Sequence, residues 1–143
     1  MRKNDMSWPA MLAEAVTIVS GIIFLGLQVY YGLSYGTDPF QLVMNVAAML
    51  LVYAWLTVLT FYPERVNGLT SETCSGTVRI YTVRMVRLAK LIFVEGLLFT
   101  SICDVIGIEV NAGYSLVVVA LIVAVAGYYE YRIIRILRDQ QKK

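Results

Sequence analysis

Residues 83–105 have the sequence VRMVRLAKLIFVEGLLFTSICDV, a membrane-length helix that carries charges along much of its length. A bilayer core about 30 Å thick needs about 20 mostly apolar residues in a helix. The longest uncharged run here extends only from Gly96 to Cys103. Because a charge at the bilayer centre costs at least about 2.5 to 3.5 kcal/mol, this helix should face protein or water and not lipid.

The composition of the whole chain is that of a membrane protein. Of its 143 residues, 59% are hydrophobic and 15% are charged, and the mean hydropathy is +0.69. Soluble domains are about 45 to 50% apolar, with about a quarter of their residues charged. The net charge is only +2. A soluble enzyme, a disordered tail and a nucleic-acid-binding protein are therefore excluded as first interpretations.

Three further segments have the length and apolar character of membrane spans. We therefore predict an all-α polytopic membrane protein, a four-transmembrane-helix bundle in which residues 1–143 form a single membrane domain. The predicted spans are residues 9–31, 40–61, 83–105 and 114–136. Glycine, proline and asparagine in the two short connections favour tight turns. The longer loop, residues 62–82, is too short and too polar to form a domain. Its turn- and cap-like residues, Thr70-Ser71-Glu72-Thr73 and Ser75-Gly76-Thr77, are expected to lead into an extended third helix.

Lysine and arginine fall on one side of these predicted spans. They occur before the first span, between the second and third and in the first part of the third, and at the end of the fourth and beyond it. The short connections have no basic residue and contain the acidic residues Asp38 and Glu109. Since cytoplasmic segments carry the basic excess, both termini and loop 62–82 are expected inside a bacterial-type plasma membrane. The first apolar segment is longer than that of a cleavable signal peptide, so we expect it to be retained.

Several charged side chains lie at membrane depth in this topology and form the candidate site. On a helical wheel of about 100° per residue, the four in the third span share a stripe about 140° wide. Such a stripe is expected to face the interior of the bundle or a wet cavity. The candidate intramembrane charge cluster comprises Glu14, Arg84, Arg87, Lys90, Glu95 and Glu130.

The acidic members of this cluster have no basic neighbour three or four positions away in the same helix, so pairing between helices is expected. The helical rise places Lys90 at the depth of both Glu14 and Glu130. Glu95 lies about 16 Å beyond Arg84 and is expected to be too deep for such a partner. It is either a functional protonatable group or a neutral or paired structural one, and both interpretations stay open.

A structural interpretation is also open for the other members. Lysine and arginine side chains extend towards the membrane interface, and acidic groups near a helix end can reach headgroups or water. The sequence has no histidine, and Cys74 and Cys103 are its only cysteines. The usual zinc and haem ligand sets and Ser/His or Cys/His nucleophile pairs are thus missing. We expect no cofactor, no metal and no enzymatic activity.

Ala13-Glu14, the short chain and the four predicted spans resemble the small multidrug resistance transporters in outline. The charged third span, the longer fourth span and loop 62–82 depart from the pattern of that family. The resemblance therefore assigns no family, and no functional roles are carried over from it.

Two functions fit these observations. The first is a non-enzymatic accessory, regulatory or immunity-type module that acts through its helices and cytoplasmic loop. The alternative is a small homo-oligomeric proton-coupled transporter or channel that uses Glu95 and Glu14. The expected partners are the lipid bilayer and either a second copy of the chain or another membrane protein, and not nucleic acid. The sequence names no small-molecule or ion substrate.

Overall fold

The chain forms four long α-helices in a computed structural model that describes residues 7–141. The all-α class predicted from the sequence is confirmed. The long helices are α1 (Trp8–Ser34), α2 (Pro39–Phe61), α3 (Gly76–Val105) and α4 (Tyr114–Gln141). A short 3₁₀ helix, Pro63–Arg65, follows α2.

The two short connections have the turn chemistry that their residues predict. The Asp38 side chain accepts a hydrogen bond of 3.1 Å from the backbone N–H of Phe40, and Pro39 occupies the first turn of α2. At the end of α3, Gly107 has a positive φ of 73°, which a residue with a side chain rarely adopts. The Ile108 N–H then turns back to the Cys103 carbonyl at 2.9 Å and ends the helix.

Neighbouring helices along the chain run in opposite directions. Contacts between α1 and α3 advance together, from Glu14 with Lys90 to Gln28 with Ser101, so these two helices are parallel. Contacts between α3 and α4 run oppositely, from Tyr81 with Tyr129 to Phe99 with Tyr114. The start of α1 and the end of α4 therefore share one end of the molecule. We call it the basic end, and the other, which carries Asp38, Asp104 and Glu109, the acidic end.

The most highly charged helix, α3, lies at the centre and packs against each of the other three. Its buried residues include apolar Val94 and Leu98 as well as Arg87 and Lys90. Most of α2, by contrast, is exposed. α4 packs on the side of α3 where Gly96 allows close approach, since a Cβ at Gly96 would lie 3.0 Å from a methyl group of Val118.

Three helices, α1, α2 and α4, are long and apolar enough to cross a membrane. α3 is not among them, because its charges keep its apolar segments short. Length and composition therefore support three of the four predicted spans. The apolar surface around the central helix α3 is therefore provided by α1, α2 and α4.

α3 also begins earlier than its predicted span, at Gly76 instead of residue 83. Val78 and Thr82 in this added segment are fully buried. Arg79 pairs with Glu64 of the 3₁₀ helix at 4.0 Å. The second part of the predicted loop 62–82 is thus helix, because tertiary burial stabilises residues that the hydropathy pattern assigns to solvent.

Candidate intramembrane charge cluster

Lys90 occupies the junction of α1, α2 and α3 and is 0% exposed. Its Nζ donates hydrogen bonds to Glu14 Oε1 of α1 and to Thr57 Oγ1 of α2, the second at 3.3 Å. The same Nζ lies 4.8 Å from the centroid of the Tyr53 ring. A carboxylate, a hydroxyl and an aromatic face thus replace water around the ammonium group.

The local backbone of α2 prepares Thr57 for this contact. Its hydroxyl donates to the carbonyl of Tyr53 at 2.7 Å, so its oxygen is left to accept from Lys90. Tyr53 and Thr57 are four residues apart and lie on the same face of the helix. Sequence reasoning missed Tyr53, although this spacing on one face was the available signal.

Arg87 adds a second cation to the same carboxylate. It is 5% exposed, and its Nε lies 3.9 Å from Glu14 Oε2. Arg87 and Lys90 are three residues apart on α3 and therefore face α1 together. One carboxylate on α1 thus lies between two cations on α3, and the contact with Lys90 is the shorter of the two.

Glu95 has a different environment from Glu14. Its Oε1 accepts a hydrogen bond of 2.5 Å from the hydroxyl of Ser20 on α1. Within residues 7–141 it forms no ion pair. The side chain is only half-buried. Sequence reasoning noted Ser20 as a residue that could join helices but did not connect it with Glu95.

The remaining two members of the predicted cluster lie apart from Lys90. Arg84 is exposed and lines a cavity of about 280 Å³ at the basic end, together with Ser7, Arg87 and Tyr129. Glu130 on α4 is half-buried and forms no ion pair in the described part of the chain. The structure thus brings together Glu14, Arg87 and Lys90, gives Glu95 a hydroxyl partner, and leaves Arg84 and Glu130 outside.

A second set of polar contacts joins the same helices near the acidic end. Gln28 Nε2 donates to Ser101 Oγ at 3.2 Å, and the Tyr31 hydroxyl donates to the Ser101 carbonyl at 2.9 Å. These side chains border a cavity of about 490 Å³ between α1, α2 and α3, which we call the acidic-end cavity. Polar contacts therefore link α1 to α3 near both ends and, through Ser20 and Glu95, between them.

No group of three or more histidine, cysteine, aspartate or glutamate side chains is placed to hold a metal ion within the described residues. Comparison with known proteins adds no identity, because no family model, curated protein or solved structure matches the chain.

Proposed function

We propose that the chain is a small integral membrane protein, a non-enzymatic accessory, regulatory or immunity-type module. In this proposal α3 is a fourth span inside a four-helix membrane bundle, and both termini face the cytoplasm of a bacterial-type plasma membrane. The module acts through its helices and through the loop between α2 and α3 on another membrane component.

The enclosure of Lys90 carries this proposal. A charge that moves ions or protons needs access to water, whereas Lys90 is 0% exposed and is held by groups from α1 and α2. Its position supports a structural role for the Glu14, Arg87 and Lys90 group, which joins three helices around a charge. If these charges have a structural role, the exposed outward faces of α2 and α4 are the surfaces on which another membrane protein can bind.

The distribution of charge supports the proposed topology. The helices alternate in direction, and the basic end carries Arg79, Arg84 and Arg132. The charged residues of the acidic end are all acidic. A basic excess marks the cytoplasmic side of membrane proteins. α3 has 30 residues, which correspond to about 45 Å of helix, enough to cross the bilayer within the shelter of its neighbours.

Photo-crosslinking in native membranes tests the proposed module. A photoreactive residue replaces Leu51 on α2 or Leu116 on α4, each of which is 71% exposed. We expect a discrete adduct with one other membrane protein from at least one position. The same residue at Val94, which is 0% exposed, is the matched control and should give no such adduct. Adducts with lipid or with the chain itself alone would contradict the proposal.

A second function, proton-coupled transport by a homo-oligomer, is favoured by the surroundings of Glu95. This carboxyl is half-buried and has the Ser20 hydroxyl as its hydrogen-bond partner. A carboxyl without a neighbouring cation in an apolar environment can bind and release a proton as water or substrate reaches it. Within this alternative we assign the proton site to Glu95, because Glu14 already forms ion pairs with Lys90 and Arg87.

Flux driven by a pH gradient in vesicles tests this alternative. Glu95→Gln should abolish the flux while the folded yield stays unchanged, because glutamine keeps the shape and the contact with Ser20 but cannot exchange a proton. Glu130→Gln is the matched control and should leave the flux intact, since Glu130 has no ion pair in the described structure. Equal flux in wild type, Glu95→Gln and protein-free vesicles would exclude transport through Glu95.

A further inference from the structure

The acidic-end cavity is a concave space of about 490 Å³ whose wall combines apolar and polar side chains. Phe24, Phe93 and Leu97 supply apolar surface, while Gln28, Tyr31 and Asp104 supply polar groups. Small-molecule sites have this character, with a mostly apolar lining and a few convergent polar groups. Glu95 does not line this space, so the cavity is separate from the carboxyl considered for proton transfer.

Three polar groups on the wall already donate hydrogen bonds to neighbouring atoms. The Tyr31 hydroxyl donates to the Ser101 carbonyl at 2.9 Å, and the Thr100 hydroxyl donates to the Leu97 carbonyl at 2.8 Å. The Gln28 amide nitrogen donates to Ser101 Oγ at 3.2 Å. The oxygens of these three groups still have lone pairs that accept hydrogen bonds, as does the Asp104 carboxylate on the same wall. The wall is therefore suited to a ligand that donates.

The charge of the cavity points the same way. Asp104 lies on its wall, and none of the described residues that line it is basic. The acidic end as a whole adds Asp38 and Glu109, and the sequence has no lysine or arginine between Lys90 and Arg132. A carboxylate at the rim of a concave site with low-dielectric walls raises the local concentration of cations.

We propose that the acidic-end cavity binds a small protonated amine that carries an apolar body. The ammonium group donates to Asp104 and to the oxygens of Gln28 and Tyr31, and the apolar body packs against Phe24, Phe93 and Leu97. Aromatic rings beside the ammonium add cation–π attraction. This inference goes beyond the proposed function, because such binding requires neither a protein partner nor transport.

Titration of the full chain in lipid nanodiscs tests the inference with three probes that share one ring and differ in charge. These are benzylammonium, benzyl alcohol and benzoate, and empty nanodiscs serve as the blank. We expect saturable binding of benzylammonium at one site per chain, at least about tenfold weaker binding of the alcohol, and none of benzoate. Equal affinity for ammonium and alcohol, or no saturable binding of benzylammonium, would overturn the inference.

Two pairs of variants place the site. Asp104→Asn should weaken benzylammonium binding at least about tenfold. Glu109→Gln removes the same charge from the same end outside the cavity and should change binding by about twofold or less, because solvent screens exposed charges. An equal loss in both would show a general surface effect and contradict a cavity site.

Ala48→Phe places a ring on the cavity wall and should block binding, whereas Ala54→Phe, on α2 but outside the lining, should not. Circular dichroism and the elution profile check that each variant folds. If Ala48→Phe folds and binds benzylammonium like wild type, the cavity is not the site.

Discussion

At the residue scale, the central feature is a lysine enclosed by three helices. Burying an ammonium group costs several kcal/mol, and Glu14, Thr57 and Tyr53 offset that cost around Lys90. A buried pair of this kind adds little net stability compared with apolar residues of the same size, but removal of one partner leaves a buried charge uncompensated. Removal of Glu14 and removal of Lys90 should therefore lower the free energy of unfolding by different amounts.

Glu14→Gln should lower the free energy of unfolding by about 3 kcal/mol, because it removes the carboxylate partner of the fully buried Lys90 and leaves only a hydroxyl, an amide and a ring around it. Chemical denaturation in detergent micelles measures this. Lys90→Met should cost less, since Glu14 is 29% exposed at its side chain and still has Arg87 at 3.9 Å.

The double variant, Glu14→Gln with Lys90→Met, is the control for this pair. It removes both charges and should recover much of the stability lost in Glu14→Gln. The two residues are not a coupled pair if both single variants lose the same free energy of unfolding and the loss in the double variant is the sum of the two.

The sequence could predict part of this site. Helical rise placed Lys90 at the depth of both Glu14 and Glu130, but depth does not say which helix faces which. Lys90 and Gly96, where α4 approaches, lie about 120° apart around α3. α4 therefore packs away from Lys90, and α1 provides the carboxylate. Only tertiary packing contains that information, and the same holds for the contact between Ser20 and Glu95.

At the element scale, the close approach of α4 to α3 depends on a glycine. A Cβ at Gly96 would lie 3.0 and 3.1 Å from the two methyl groups of Val118, so even one methyl group forces Val118 to move. The small residue at position 96 thus sets how closely the two helices pack. Small residues at helix interfaces in membranes have this general effect.

Gly96→Leu should separate α3 from α4 and lower the free energy of unfolding by about 1 to 3 kcal/mol, the usual cost of overpacking. Gly26→Leu is the matched control, because Gly26 lies within α1 and has no atom within 4 Å of its Cβ position. It should be neutral or stabilising, as leucine favours helix more than glycine does. Similar destabilisation by both substitutions would indicate a general intolerance of side chains and not an interface.

The bounds of the elements show what hydropathy can and cannot predict. Apolar length located α1, α2 and α4, whereas α3 was located as a segment of membrane length that charges interrupt. Hydropathy placed the start of the third span at residue 83, whereas the cap-like Ser75-Gly76-Thr77 predicted an extended helix, and α3 begins at Gly76. Val78 and Thr82 are buried in the part of the helix that precedes its apolar segment. The 3₁₀ helix, which contacts α3, was not indicated by any pattern in the sequence.

At the scale of the whole molecule, apolar and charged helices have different positions. α1, α2 and α4 have the composition of membrane spans, and the charged α3 lies among them. An unaccompanied helix with the charges of α3 would be costly in lipid, but its most buried charge, Lys90, faces protein. In the proposed topology, α3 can cross the membrane only while α1, α2 and α4 shield its charges from lipid. The topology can therefore be tested by finding on which side of the membrane the loops before and after α3 lie.

Cysteine labelling of those loops tests the topology directly. Glu109→Cys lies between α3 and α4, and Ser71→Cys lies between α2 and α3, both at exposed positions. Native Cys74 and Cys103 are buried, at 2% and 5% exposure, so wild type provides the blank. With a membrane-impermeant maleimide, Glu109→Cys should react in intact cells, and Ser71→Cys only after permeabilisation, because the proposed topology places the basic end in the cytoplasm. The reverse pattern would invert the orientation, and labelling of both from the same side would mean that α3 does not cross the membrane.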